Sequence, residues 1–338
     1  GIEIGVETAV GQSFSEFQTF IKGYKNYGVL LAVCSKNDEE NALSGLNHPS
    51  GILKPDDFVS IKANWNSKDL NIEQSANEIG LLSDSFVFID DNPAECAIVN
   101  AQLPNVPTVN FTSAGDTMYR LSRSGFFEVT SISKDDLNRS EMYSANAKRN
   151  AQQKSFTNYT DYLLSLDMHA KITDFLPVYI QRITQLTNKS NQFNVTTKRY
   201  SESEMNEVAK SSDHIRLCGQ LADKFGDNGI VSVVIGRCEN KTLHIELWLM
   251  SCRVLKRDME FAMLDELVKQ CHARGITKII GYYYKTPKNN MVSELFGTFG
   301  FKNESKNSNG DSIWSLDISS YTNKNNVIKV NEKDFNYE

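Results

Sequence analysis

Two adjacent carboxylates, Asp90 and Asp91, close the apolar run 85–90 and stand just before Pro93. Paired hard oxygens at the end of a buried strand can present ligands to Mg²⁺. The bland alternative is a solvated turn, where acids are common. Other residue types nearby in the sequence favour chemistry. Ser35 ends an earlier apolar run, 28–35, and Lys68 precedes a helical stretch, so a hydroxyl and an ammonium are available to address a phosphoryl oxygen. Cys34, beside Ser35, has two readings. As a thiolate stabilised by Lys36 or Lys68 it could accept an acyl group from an acyl phosphate. As a packed strand cysteine it is structural, free Cys being among the most buried residue types. Cys252, in Trp248-Leu-Met-Ser-Cys-Arg253, stands at another strand end and has the same two readings.

These residues need a scaffold that gathers strand ends. Phe17, Phe20, Ile21 and Tyr24 recur at helical spacing within 14–27, which ends in Asn26-Tyr27-Gly28, a helix stop. Residues 38–46 and 69–79 also read as helices, alternating with the continuous apolar runs 28–35 and 85–90. Such alternation implies a parallel α/β sheet buried on both faces, with ligands at the carboxyl ends of its strands. Ser35, Asp90 and Asp91 all fall there. The later half has a different pattern: a helix over 180–186, strands over 230–235 and 243–250, a long amphipathic helix over 258–274, and a strand over 276–284. That order predicts a mixed α+β domain around a curved sheet, with 303–310 as a turn-rich loop. At 338 residues the chain exceeds what one core usually serves. The expected division is a first domain over 1–130, a polar helical linker over 131–164, a second domain over 165–320 and a tail over 321–338.

Composition removes several function classes. A net charge of -6 without clustered Lys and Arg argues against nucleic acid. The six cysteines, Cys34, Cys96, Cys218, Cys238, Cys252 and Cys271, form no CxxC pair, which argues against a disulfide framework or zinc site and fits a reducing cytoplasm. No apolar run approaches the roughly 20 residues that span a bilayer, and the start lacks a signal-peptide pattern, so no membrane association and a cytoplasmic location are expected.

Three segments, Leu31-Ala-Val-Cys-Ser-Lys-Asn-Asp38, Asn64-Trp-Asn-Ser-Lys-Asp69 and Phe86-Val-Phe-Ile-Asp-Asp-Asn-Pro93, resemble consecutive blocks of FkbH-like proteins. In that family a haloacid-dehalogenase-type (HAD-type) phosphatase domain of subfamily IIIC type is fused to a GNAT-like acyltransferase domain. Segments 186–200, 223–229 and 285–291 resemble the same family, so the likeness extends to about residue 318. The resemblance implies a HAD-like Rossmannoid parallel sheet followed by a GNAT-like α+β domain. It implies that Ser35 bonds a phosphoryl group, Lys68 neutralises it, and Asp90 and Asp91 hold Mg²⁺. The implied activity is that of a glyceryl transferase and phosphatase. Such a protein takes 1,3-bisphosphoglycerate, an acyl phosphate, removes phosphate and loads the glyceryl unit onto an acyl carrier protein, with Cys34 or Cys252 as candidate thioester carriers.

The sequence departs from that pattern in three places. HAD enzymes attack phosphate with an Asp in a DxD-type strand end, and no such segment occurs in this chain, so it is expected not to dephosphorylate by itself, either as a fragment that has lost the nucleophile strand, the favoured reading, or as a natural remnant whose phosphatase half is scaffold. GNAT enzymes bind the coenzyme A pyrophosphate at an RxxGxG or RxxGxA turn before a helix. Here that stretch is Arg253-Val-Leu-Lys-Arg-Asp258, with Lys256 and Asp258 in the glycine positions. Arg253, Lys256 and Arg257 are the candidates to attract the phosphate of a carrier protein's phosphopantetheine or of CoA. Phe296 stands where a GNAT helix often carries a Tyr general acid. Two alternatives follow: an acyl-CoA-dependent N- or O-acyltransferase in polysaccharide or secondary-metabolite assembly, and a non-catalytic binding module.

Overall fold

A computed structural model describes residues 5–128 and 139–332. Helix α1 (Ala9–Lys25) starts before the first apolar-periodic residue, because the Thr8 hydroxyl accepts the Gly11 N–H at 3.0 Å and caps it. Strand β1 (Leu31–Ser35), helix α2 (Glu39–Leu46) and strand β2 (Phe58–Ala63) follow, and β2 runs parallel to β1 with Ser35 opposite Ala63. Helix α3 (Lys68–Ile79) buries Ile72, Ala76 and Ile79 on one face and stops at Gly80, whose φ of 73° only glycine adopts freely. Strand β3 (Phe88–Asp90), helix α4 (Pro93–Gln102) and strand β4 (Thr108–Asn110) form a second parallel pair, with Asp90 opposite Asn110. Helices α5 (Ala114–Arg123) and α6 (Arg139–Gln153) come next. The remainder of the expected linker between α5 and α6, residues 131–138, lies outside the described residues.

Helix–strand alternation thus yields parallel pairing, as expected, but in two pieces. Among the described residues β1–β2 and β3–β4 are separate two-stranded sheets, so each of these strands has one hydrogen-bonded neighbour. A small core of Ile72, Phe88, Cys96, Val99 and Val106 joins them, with Cys34 of β1 packed against it.

The chain divides into two compact units, Gly1–Ala151 and Gln152–Glu338. The second opens with α7 (Tyr159–Ser165), which lies within the expected 131–164 linker except for its last residue but buries Tyr162 and Leu163 in this unit's core. Strand β5 (Met168–Thr173), helices α8 (Ile180–Lys189) and α9 (Glu202–Lys210), and strands β6 (His214–Asp223), β7 (Gly226–Glu239) and β8 (Thr242–Met250) follow. Helix α10 (Met259–Ala273) then crosses to β9 (Lys278–Tyr283), the crossover that a parallel neighbour of β8 requires. The short α11 (Leu295–Thr298) and strands β10 (Lys302–Lys306), β11 (Ser312–Asp317) and β12 (Ile328–Val330) complete an eight-stranded sheet in the order β10-β11-β9-β8-β7-β6-β5-β12. The class is the one expected: a parallel α/β unit followed by an α+β unit built on one mixed sheet.

Two sequence expectations fail locally. Residues 303–306 are not loop but belong to β10, an edge strand exposed along its whole length; with both faces in water it shows no apolar alternation. Within the expected tail 321–338, Ile328–Val330 pairs in parallel with β5. No helix among the described residues is long and apolar enough to cross a membrane.

Candidate functional site

In the first unit the strand ends do gather the expected residues. Lys68, the first residue of α3, reaches Asp90, the last residue of β3, and its ammonium bonds the Asp90 carboxylate; each residue is 8% exposed. This contact crosses from one parallel pair to the other. The second Asp90 oxygen accepts the Asn92 N–H at 2.9 Å, and the Asn92 side chain accepts the Ala94 N–H at 2.9 Å, capping α4 over Pro93. Asp90 is therefore held by an ammonium on one side and a helix-starting turn on the other. Asp91 differs: it is exposed and no group of the described residues bonds its carboxylate, although Asn110 Nδ2 holds its carbonyl at 3.3 Å. Ser35 is half-buried, with its carbonyl taking the Asn64 N–H at 3.1 Å and its hydroxyl unengaged among the described residues.

Sequence reasoning missed Glu95. It lies in the first turn of α4, buried, with one oxygen 2.6 Å from Lys36 Nζ and the other, Oε2, buried without a partner among the described residues. Its position two residues after Pro93 was the available signal. Lys36 and Lys68 thus stand against Asp90, Asp91 and Glu95, two formal positive charges against three negative. A phosphoryl dianion would meet net repulsion here, which a divalent cation would reverse. The donor set suits Mg²⁺, which commonly sits on one or two carboxylates, substrate phosphate oxygens and several waters. Asp91 offers the open carboxylate and Asp90 the oriented one. Among the described residues no cluster of three or more His, Cys, Asp or Glu could hold a metal by protein ligands alone.

Cys34 requires a correction. Burial, opposed by Lys68 and reinforced by Asp90, pushes its thiol up to about 11, and its Sγ lies 3.7 Å from the Lys68 carbonyl. Lys68 is committed to Asp90 and Lys36 to Glu95. The expected thiolate stabilised by either lysine is not formed, and the packed strand cysteine is the better description.

In the second unit Cys252 begins a short turn, Cys252–Val254, directly after β8. Lys256 and Asp258 adopt φ of 63° and 59°, the left-handed conformations that glycines in those positions would supply. The backbone of a Gly-type loop is thus present with side chains attached. Those side chains do not serve an anion. Arg257, expected to attract phosphate, points inward: its Nη1 lies 3.2 Å from Asp223 Oδ2 and its Nη2 donates to the Arg253 carbonyl at 2.8 Å. Arg253 is buried as well, with its Nε 3.2 Å from Ser251 Oγ. Only Lys256 is exposed, and its carbonyl accepts the Tyr159 hydroxyl. At the N-terminus of α10 stand two carboxyls. Burial raises the Asp258 carboxyl and pushes Glu260 up to about 7, with Glu260 Oε2 buried and unpartnered among the described residues. A helix N-terminus ordinarily favours anions. Two carboxyls there oppose one, so these residues do not fit the pyrophosphate of CoA.

Phe296 is fully buried, its ring packing against Trp248, Phe299 and Phe301. It sits so close over Gly281 of β9 that a Cβ there would lie 2.5 Å from the ring. It is a core residue.

No protein-family model matches this chain, and no curated protein matches it. Among solved structures it is similar to the N-terminal part of a Bacteroides fragilis protein, a part containing a phosphatase domain and complexed with Mg. The identity is 36%, covering 39% of this chain and 36% of that chain, with a TM-score of 0.38. This chain therefore spans about a third of the length of that one. It is also similar to an acetyltransferase of the GNAT family from Streptococcus pneumoniae, at 16% identity over 45% of this chain and 100% of that one, TM-score 0.37. A third similarity is to PaiA N-acetyltransferase from Thermoplasma acidophilum in complex with coenzyme A, at 14% identity over 44% of this chain and 98% of that one, TM-score 0.33.

The polar segment 188–197 has a structural task that its composition hides. Parallel pairing of β8 with β9 covers only Thr242 to His244 opposite Lys278 to Ile280. Beyond that point Val195 N–H donates to the Trp248 carbonyl at 3.0 Å, Met250 N–H to the Phe193 carbonyl at 3.0 Å, and Tyr284 N–H to the Val195 carbonyl at 2.8 Å. Asn194 and Asn289 are fully buried, and Asn289 Nδ2 donates to the Asn194 carbonyl at 3.0 Å. The segment fills the divergence between two strands and satisfies their backbone groups.

Proposed function

We propose that the protein binds a small acyl phosphate at the strand ends of its first unit and acts in glyceryl transfer. The pantetheine thiol of an acyl carrier protein would attack C1 of 1,3-bisphosphoglycerate, the bond from C1 to the phosphate oxygen breaking and inorganic phosphate leaving; hydrolysis of the 3-phosphate then leaves a glyceryl thioester, with the second unit as the acyltransferase-like part. The observation that carries this reading is the buried Lys68–Asp90 pair beside the open carboxylate of Asp91. In it the Ser35 hydroxyl donates to a phosphoryl oxygen and the Lys68 ammonium, oriented by Asp90, offsets its charge. Asp90 and Asp91 would hold Mg²⁺, which supplies charge neutralisation when bound. The residues so placed bind and orient the phosphoryl group. Cys34, held as a thiol by burial, has no acyl-carrying part in this reading, and Cys252 keeps that candidacy.

An acyl-CoA-dependent N- or O-acyltransferase is less well supported, because Asp258 and Glu260 oppose a pyrophosphate at α10. A carrier-protein thiol brings no nucleotide to that loop. Calorimetry with inorganic phosphate is expected to give Mg²⁺-dependent binding that Asp91→Asn and Lys68→Ala abolish. Equal binding with and without Mg²⁺, or in either variant, removes the first half of the proposal. Mass spectrometry of pantetheinylated carrier protein after incubation with 1,3-bisphosphoglycerate tests the second half, which fails if no glyceryl adduct forms.

A further inference from the structure

Because β1 and β2 are parallel neighbours, the loops leaving their C-terminal ends, 36–38 and 64–67, lie over the same end of that sheet. The first follows Ser35 and the second precedes Lys68. Trp65, on the second loop, is 70% exposed, whereas Trp248 and Trp314, the other two tryptophans, are buried. A lone exposed apolar side chain is ordinary. This one is fixed in place. Its Nε1 donates to Asp38 Oδ1 at 3.1 Å, so the indole bridges from one loop to the other. The backbone beneath it is fixed too: Asn64 Oδ1 accepts the Asn66 N–H at 3.0 Å and Asn71 Nδ2 at 2.9 Å. Leu70, in the first turn of α3, adds a second exposed apolar side chain, at 57%. An indole whose N–H is satisfied by the protein and whose faces are left to water offers apolar surface and no further polar group. It is positioned to cover carbon, not to bind charge.

We infer that Trp65 is a specificity-determining residue: its indole covers the carbon skeleton of an organic phosphate whose phosphoryl group lies at Ser35 and Lys68. The inference rests on the phosphoryl-binding role proposed above and names what that site selects, phosphorylated compounds with a short carbon chain over free phosphate. The test uses the full chain with Mg²⁺ and two probes, inorganic phosphate and 3-phosphoglycerate. Trp65 is the exposed one of the three tryptophans, so 3-phosphoglycerate is expected to shield it from acrylamide and inorganic phosphate is not. By calorimetry Trp65→Ala loses about tenfold in affinity for 3-phosphoglycerate, the factor that about 1.4 kcal/mol of contact supplies, and keeps its affinity for inorganic phosphate. Trp65→Phe retains most of the preference, and Asp38→Ala, which removes only the anchor, weakens it partly. Equal losses for both probes in Trp65→Ala would make the residue a loop anchor and overturn the inference, as would no loss for either. If neither probe binds the parent chain, the phosphoryl site itself is wrong and the inference falls with it; if both bind and Lys68→Ala abolishes both, the site stands and only the behaviour of Trp65 decides.

Discussion

Replacing Lys68 by Met leaves the Asp90 carboxylate in place without its cation. The pair is deeply buried, with side-chain exposures of 10% for Lys68 and 5% for Asp90. Breaking such a pair by removing one partner typically costs about 3–5 kcal/mol, because the remaining charge stays desolvated. Asp90 keeps one compensation, the Asn92 N–H at 2.9 Å, so the lower end, about 3 kcal/mol, is expected. Asp90→Asn in the same background removes the stranded charge, and the double variant should recover most of that loss. Urea unfolding read by hydrogen exchange in the α3 and β3 amides reports on the first unit alone, which matters in a chain of two units. A loss below about 1 kcal/mol at pH 8, or a double variant no more stable than Lys68→Met, would show that the pair is solvent-screened and does not hold the site.

In the second unit, Glu260 is pushed up from 4.5 to about 7 by burial. A raised folded pKa favours the protonated folded state, so stability is fully present below about pH 4.5 and is lost as pH rises towards about 7. Glu260→Gln should abolish that slope and stabilise the protein at pH 8 by about 3 kcal/mol, an order-of-magnitude figure, and a pH titration of unfolding in which the slope persists would contradict it. Phe296→Ala should cost about 3–5 kcal/mol as a core truncation. Phe296→Tyr should also destabilise, by burying a hydroxyl among aromatic rings; a variant of unchanged stability with new transferase activity would return that position to the chemistry.

What the sequence made legible was the set of strong local periods and strand-end residue types. The runs ending in Ser35 and Asp90 are short, apolar and followed by helices, and they became β1 and β3 with their chemistry at the carboxyl ends. Strand β2 was missed because Ser60 and Lys62 interrupt its apolar pattern, although Ser60 is buried against Ser75 at 3.0 Å. Strand β4 was missed because three residues carry no period. The partners of charged side chains were illegible for a different reason. Lys36 finds Glu95, Lys68 finds Asp90 and Arg257 finds Asp223 across 59, 22 and 34 residues, and no local signal specifies such pairs. The chemical readings of Cys34 and Arg257 each needed an uncommitted cation, whereas Lys36, Lys68 and Arg257 are each engaged by a carboxylate.

The loop before α10 shows how backbone shape and side-chain chemistry separate. Left-handed φ at a residue with a Cβ costs of order 1–3 kcal/mol and persists only where surrounding contacts impose it. Here those contacts are visible. The Tyr159 hydroxyl holds the Lys256 carbonyl, Arg257 is drawn inward by Asp223 and Asn228, and its Nη2 closes on the Arg253 carbonyl. Lys256 and Asp258 flank that buried arginine and follow the path it sets, so glycine is not required for the turn to form. Glycine is required for close backbone approach by a phosphate, and that is what the two side chains prevent. The backbone of a glycine-type turn can therefore be read in this unit while the approach to it by an anion is closed.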